Sequence, residues 1–382
     1  MLFKEVIGHK ELKASLIQSV SDGRISHAQL FLGSEGSGNL ALALAYIQYI
    51  YCENKGEEDS CGVCPSCRKI QHLSHPDLHF SFPVIKAGKE GETADEFITE
   101  FRKAIIDNPY INLLNWYEYL GNQNKQGIIS VKESNHIIKK LSLKSFEGGF
   151  KSYLIWMPEN LNSAAANKLL KTIEEPPEKT IIILVANDSE QIIPTILSRT
   201  QLVKLARLSN AEIAEGLIEA FETEKQLAEN LAAMSEGNYF QARNLALNAG
   251  ENNENFIYFR NWMRLCFKKD IKGVSNWVDD MAKIGRAQQK DFLKFALHLL
   301  RQCALNNYNV EGLITIKGDE RVFMQNFAPY INHLNFEDYI TLFSEAQFHI
   351  DRNANAKILF TDLSYQLLVL LKAAADQLKS KS

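Results

Sequence analysis

Apolar and polar positions follow two rhythms along this chain. Leu12, Leu16 and Val20 recur at helical spacing and predict an amphipathic helix within residues 1–27. Short apolar runs then predict strands at Ala28–Leu32, Tyr153–Trp156, Ile181–Val185 and Leu202–Leu205. Helix-like stretches stand between or before them at Ala41–Tyr51, Glu133–Leu143, Ala164–Ile173 and Ile192–Leu197, and alternation resumes at Ile128–Val131. Strands alternating with helices imply a parallel sheet covered on both faces, because each crossover lays a helix on the sheet. After Leu208 no comparable strand appears. Ser209-Asn210-Ala211-Glu212 reads as an N-cap opening a small helical segment that runs to about Asn248. From Asn253 to Leu378 nearly everything reads as helix, with Gly312 and Pro329 at connections.

Residues 84–127 interrupt this order and read as an insertion, Gly- and Glu-rich over Ala87–Thr93, then aromatic at Tyr110, Trp116, Tyr117 and Tyr119. No function is legible in it. The 382 residues predict two or three domains, and 46% hydrophobic with 23% charged residues suffices to bury a core. Forty-two basic against 46 acidic residues give a net charge of −4. That excludes a strongly basic nucleic-acid binder, so any DNA contact is local or shared. No apolar run of transmembrane length and no signal-peptide core is expected, and the chain reads as cytoplasmic.

Candidate chemistry sits first at Gly33-Ser34-Glu35-Gly36-Ser37-Gly38-Asn39-Leu40. Gly33 and Gly38 match the framing glycines of G-x-x-x-x-G-K-[ST], between a strand-like and a helix-like run. In a working loop the lysine neutralises the β/γ-phosphates and the hydroxyl ligates Mg²⁺. Asn39 carries no charge and Leu40 ligates nothing, so Gly33, Gly36, Gly38 and Asn39 form a vestigial phosphate site. Its backbone N–H groups could still hold a nucleotide weakly, without turnover. A nucleotide hydrolase also needs acidic residues at the end of a neighbouring strand. After Tyr153–Trp156 those places hold Met157 and Pro158, and Glu159 comes one position late. Intrinsic ATP hydrolysis is therefore not expected.

Cys52, Cys61, Cys64 and Cys67 are spaced C-x8-C-x2-C-x2-C. Four thiolates at such separations suit one tetrahedral Zn²⁺, and paired C-x2-C steps in a cytoplasmic chain favour metal over disulfide. Iron–sulfur is the competing reading. Four cysteines leave no open coordination position, so the expected zinc is structural. His72, His75 and His79 lie nearby and could in principle replace a cysteine, whereas Cys266 and Cys303 read as buried free thiols. His27 is expected to be packed structurally.

The run Asn162-Ser163-Ala164-Ala165-Ala166-Asn167-Lys168-Leu169-Leu170-Lys171-Thr172-Ile173-Glu174-Glu175-Pro176-Pro177 is physically a capped helix that the proline pair stops. It resembles the A-A-N-x-L-L-K-x-x-E-E-P-P hallmark of the clamp-loader branch of the AAA+ ATPases. Ser198-Arg199-Thr200 resembles that branch's S-R-C motif, with Thr where Cys is usual. With the altered phosphate loop and the cysteine module, the chain resembles the delta-prime family of bacterial DNA polymerase III clamp loaders, densely over residues 1–205. The 84–127 insertion departs from that family's pattern.

The resemblance implies an AAA+ α/β domain at 1–206 carrying the zinc module (52–67), a helical lid at 207–250 and a helical collar at 251–382. It implies partnership with the gamma/tau ATPase subunits and the delta subunit through the collar, and with the sliding clamp and primed DNA within the complex. Arg199, with Ser198, would act catalytically in trans on a neighbour's ATP, as a guanidinium that binds phosphate oxygens bidentately. Asn187 falls near the polar sensor position. In Gly237-Asn238-Tyr239-Phe240-Gln241-Ala242, which resembles the family's G-x-x-R-x-A segment, Phe240 replaces the sensing arginine, with Arg243 about one turn on. Lys132, Lys139, Lys140 and Lys144 form a modest basic stripe beside a helix that in clamp loaders lines the DNA chamber. The alternatives are an active motor subunit and a zinc-containing DNA-binding scaffold.

Overall fold

The computed structural model describes residues 1–85, 93–121, 126–248, 254–308, 316, 318–332, 335–352 and 354–381. The expected connection at Gly312, most of the Gly/Glu-rich stretch (87–92) and the expected boundary at 250/251 lie outside them. The chain divides into two compact units, Met1–Leu247 and Asn248–Ser382.

The first unit runs in the order α1 (Lys10–Ser21), β1 (Ala28–Leu32), α2 (Asn39–Tyr51), α3 (Pro65–Gln71) and β2 (Leu78–Ser81). Then come α4 (Ile98–Asp107), α5 (Leu113–Tyr119), α6 (Val131–Ser142), β3 (Lys151–Trp156), α7 (Ser163–Glu174), β4 (Thr180–Ala186), α8 (Pro194–Leu197) and β5 (Gln201–Lys204). Helices α9 (Asn210–Phe221), α10 (Lys225–Met234) and α11 (Tyr239–Asn248) close it. The five strands are all parallel in the order β2-β3-β4-β1-β5.

The twofold side-chain period of a strand gives each face its own core. Phe31, Leu154, Trp156, Ile181, Ile183 and Val185 face α2. Leu30, Tyr153, Ile155, Ile182 and Leu184 face Ile137 and Leu141 of α6 and Leu169 and Ile173 of α7. Helix α2 is apolar all round and buried from Asn39 to Ile50, as such a helix must be. Residues 98–119 are no surface excursion. Phe101 stacks on Phe82 at 3.9 Å, Trp116 meets both rings edge-on, and its Nε1 donates to Pro83 O at 2.8 Å. His27 departs from expectation: it is exposed at the entry to β1, because only its carbonyl is used, accepting from Ile182 N.

The second unit holds α12 (Glu254–Lys268), α13 (Ile271–Lys283), α14 (Arg286–Asn307), α15 (Gly318–Phe327), α16 (Phe336–Asp351) and α17 (Ala356–Lys381). Trp262 and Trp277 stack at 4.4 Å in its core, where Cys266 and Cys303 are buried thiols. One sequence expectation is corrected here. Ala356–Asp376 of α17 is long and apolar enough to cross a membrane by composition, with 33% of the window buried. Its Phe360, Leu363, Leu367 and Leu371 account for that length, since they pack into the unit's own core.

Candidate functional site

The phosphate-type loop lies between β1 and α2, at the C-terminal edge of the sheet where parallel strands deliver ligand sites. Gly36 and Gly38 adopt φ of +75° and +89°, which only glycine reaches without strain. The side chain at the lysine position points inward. Asn39 Nδ2 donates to Ala186 O at 2.8 Å, Asn187 Oδ1 at 3.0 Å and Gly33 O at 3.2 Å, while its Oδ1 accepts from Leu40 N at 2.9 Å. Asn39 thus ties the loop to the end of β4. Nothing in the sequence signalled that tie, because Ala186 O and Asn187 Oδ1 are distant along the chain.

Glu159, one position beyond the expected acidic pair, is also engaged. Met157 takes a left-handed turn at φ +56°, and Glu159 Oε1 accepts from Asn187 N at 2.5 Å and Asp188 N at 3.0 Å. Burial raises the Glu159 carboxyl, and the two N–H donors oppose that rise. Its lone pairs brace the loop after β4.

The glycine edge of the loop is covered by two other segments. A Cβ on Gly36 would stand 2.0 Å from Asn238 Oδ1, and one on Gly38 would stand 2.9 Å from Tyr110 Cε1. The Tyr110 ring meets Tyr239 of α11 at 4.8 Å, and its hydroxyl accepts from Ile7 N at 2.8 Å. Glu35 Oε1 accepts from both Asn112 (3.3 Å) and Asn238 (3.2 Å), and Tyr239 N donates to Gly36 O at 3.1 Å. Gly36, Ser37, Gly38 and Asn39 are all buried in consequence. Phe240 is buried too, and Arg243 donates to Asp107 O at 3.4 Å with its guanidinium 5.7 Å from the Phe221 ring.

Arg199 follows α8. Its Nε donates to Glu174 Oε2 at 2.7 Å and Nη1 to Thr195 O at 3.1 Å, with about a third of the side chain exposed. Ser198 Oγ donates to Thr195 O at 3.2 Å, completing the turn. Lys132, Lys139 and Lys144 are exposed, but Lys140 is drawn into an ion pair with Asp95 at 2.6 Å.

The four cysteine sulfurs of residues 52, 61, 64 and 67 lie within 4.8 Å of one another. A tetrahedral Zn–S bond of about 2.3 Å requires S–S separations of roughly 3.8 Å, so the cage fits the ion. Cys64 caps α3 by accepting from Cys67 N, with Pro65 at the first helical position. The N–H groups of Val63 and Cys64 pull the Cys61 thiol down to about 6, whereas burial pushes Cys52 and Cys67 up. Backbone donors aimed at sulfur are what a thiolate ligand set needs. Of the nearby histidines, His75 and His79 are occupied elsewhere, and His72 is exposed. His75 lies 3.0 Å from Glu147 and accepts from Asp77 N, and His79 packs on Tyr153.

A phosphate loop on a parallel sheet, continued by three small helices that reach back over it, defines an α/β domain of the AAA+ kind. The chain belongs to the family described as DNA polymerase III, delta subunit, whose model matches residues 8–209. It is 28% identical over 207 residues to DNA polymerase III subunit delta' of Bacillus subtilis (strain 168), covering 53% of this chain and 49% of that one. To subunit delta' of Yersinia pestis it is 31% identical over 186 residues, covering 48% and 43%. To subunit tau of Escherichia coli (strain K12) it is 28% identical over 215 residues, covering 56% and 27%. The match spans about half the length of these delta' relatives or less.

Proposed function

We propose that this chain is a non-hydrolysing, cytoplasmic subunit of the DNA polymerase III clamp loader. In this reading residues 1–206, 207–250 and 251–382 act as AAA+ domain, lid and collar, and the collar joins gamma/tau and delta. Arg199 serves as an arginine finger to a neighbour's ATP, helping load the sliding clamp on primed DNA.

The observation that carries the non-hydrolysing part is Asn39, whose amide is spent on Ala186, Asn187 and Gly33. A phosphate-binding residue must point its charge into the loop's mouth, and this one points away. Glu159 supports the same reading, since its Oε1 is taken up by two backbone N–H groups and its Oε2 is buried. Arg199 fits the finger role because Nε and Nη1 are anchored while about a third of the side chain remains exposed. Zn²⁺ at the four cysteines would lock the loop between α2 and α3 and leave no catalytic position. Lys132, Lys139 and Lys144 are the residues offered to DNA; Lys140 is already paired.

The test is phosphate release from MgATP by the isolated chain. No turnover above background is expected. Turnover at the rate of a motor subunit would return the active-ATPase reading.

A further inference from the structure

Segment 93–120 is the least explained part of the chain, and its contacts converge on one place. Tyr110 reaches the phosphate loop at Gly38 and the lid at Tyr239, and its hydroxyl holds the amide of Ile7. Asn112 and Asn238 share Glu35 of the loop as acceptor, one from the segment and one from the lid. Arg243 of the lid closes the ring by donating to Asp107 O at the end of α4. Three parts of the unit (phosphate loop, segment and lid) thus meet in a single aromatic and amide cluster. Its aromatic part, Tyr110 and Tyr239, is buried with Gly36 and Gly38 where a P-loop domain leaves its loop open to ligand, while the amides on Glu35 lie at the rim.

We propose that this segment is a built-in occupant of the nucleotide site, joining the helical lid to the phosphate loop as a bound nucleotide otherwise would. The chemistry suits the task. A tyrosine ring supplies the flat apolar contact between the two parts, and Glu35 supplies an anchor common to both. The segment itself is held to the sheet by the Phe82–Phe101–Trp116 stack and by Ala94 N donating to Glu133 Oε2 at 3.0 Å. Such an occupant never dissociates, so the lid holds one position whatever the nucleotide concentration. This goes beyond the loss of hydrolysis, since a loop without its lysine could still bind a nucleotide through its N–H groups.

Amide hydrogen exchange on the full chain tests it. In wild type, protection of residues 36–42 and 239–247 should be the same with and without millimolar MgATP. Tyr110→Ala should raise exchange in both segments by about tenfold or more, leaving β3 and β4 protected. Tyr110→Phe keeps the ring and should stay within a few-fold of wild type. If Tyr110→Ala unfolds the unit, Glu35→Ala removes the acceptor that Asn112 and Asn238 share, leaves the aromatic core and the Asn238 Oδ1 bond to Gln241 N in place, and should raise exchange in 239–247. Unchanged exchange in 239–247 for the alanine variants would overturn the proposal. So would protection of residues 36–42 by MgATP in wild type, whether or not the chain hydrolyses it.

Discussion

Replacing Asn39 by alanine distinguishes a structural tie from a relic of phosphate binding. The amide has two protons shared among three acceptors, and its oxygen takes one further bond. The substitution therefore removes about two donated bonds and one accepted bond, each contributing about 1 kcal/mol net. Ala186 O keeps its bond from Gly33 N at 3.2 Å, so it is not left unpaired and adds nothing to the cost. A total near 3 kcal/mol follows, against less than about 0.5 kcal/mol for a side chain idling at a solvated loop. For a unit of this size that corresponds to a fall of about 6–12 °C in melting temperature. Differential scanning calorimetry reads it, and the transition of the helical unit at 248–382, which has its own core, serves as internal control. A shift below about 1 °C in the first unit would refute the tie, on the same scaling.

Other outcomes follow from the same geometry. Cys64→Ser should release the metal and loosen α3, because it removes one of four sulfurs and weakens the helix cap; metal content per chain checks this, and an unchanged value contradicts the four-thiolate cage. Burial holds His79 and His298 down to about 4 from 6.5, so both are neutral in the folded protein. The unfolded chain takes up those protons first. Their contribution is complete above pH 6.5 and is lost as pH falls towards 4. Glu133 and Glu159, whose carboxyls burial raises, act in the opposite direction, as stability decreases when pH rises above 4.5. Urea titrations of wild type and His79→Gln across that window should therefore differ in slope, with the variant less sensitive to acid.

Much of the sheet was legible in sequence because its central strands are continuous apolar runs. Ala28–Leu32 was bounded as observed, and β3 begins at Lys151, two residues before the apolar run. Lys151 and Ser152 are polar yet buried, a pattern that periodicity alone misreads; Lys151 Nζ is satisfied by Leu141 O and Leu143 O. Strand β2 escaped notice, since Leu78-His79-Phe80-Ser81 is short and follows Pro76. The caps were readable: Asn162 accepts from Ala165 N, and Ser209 with Glu212 forms a capping box. The role of 84–127 was not. Its Phe101 buries against Phe80, Phe82 and Trp156, Trp116 against Phe82, and Tyr110 against Tyr239, while Tyr119 stays exposed. Local pattern cannot encode such contacts. For the same reason Asn39 read as a loss of charge, when its gain is three backbone and side-chain acceptors brought near by the fold.

In the proposed function the chain contributes an arginine to an ATP it does not itself hold. Stimulated ATP turnover in a mixture reconstituted with the gamma/tau and delta subunits, sliding clamp and primed DNA tests it most directly. With assembly verified by gel filtration, Arg199→Ala should lower turnover by about 10³-fold at the site it serves, the scale of a lost arginine finger. The pair with Glu174 lies at the surface, so its loss should leave the fold intact. Undiminished turnover by an assembled Arg199→Ala complex would contradict the account.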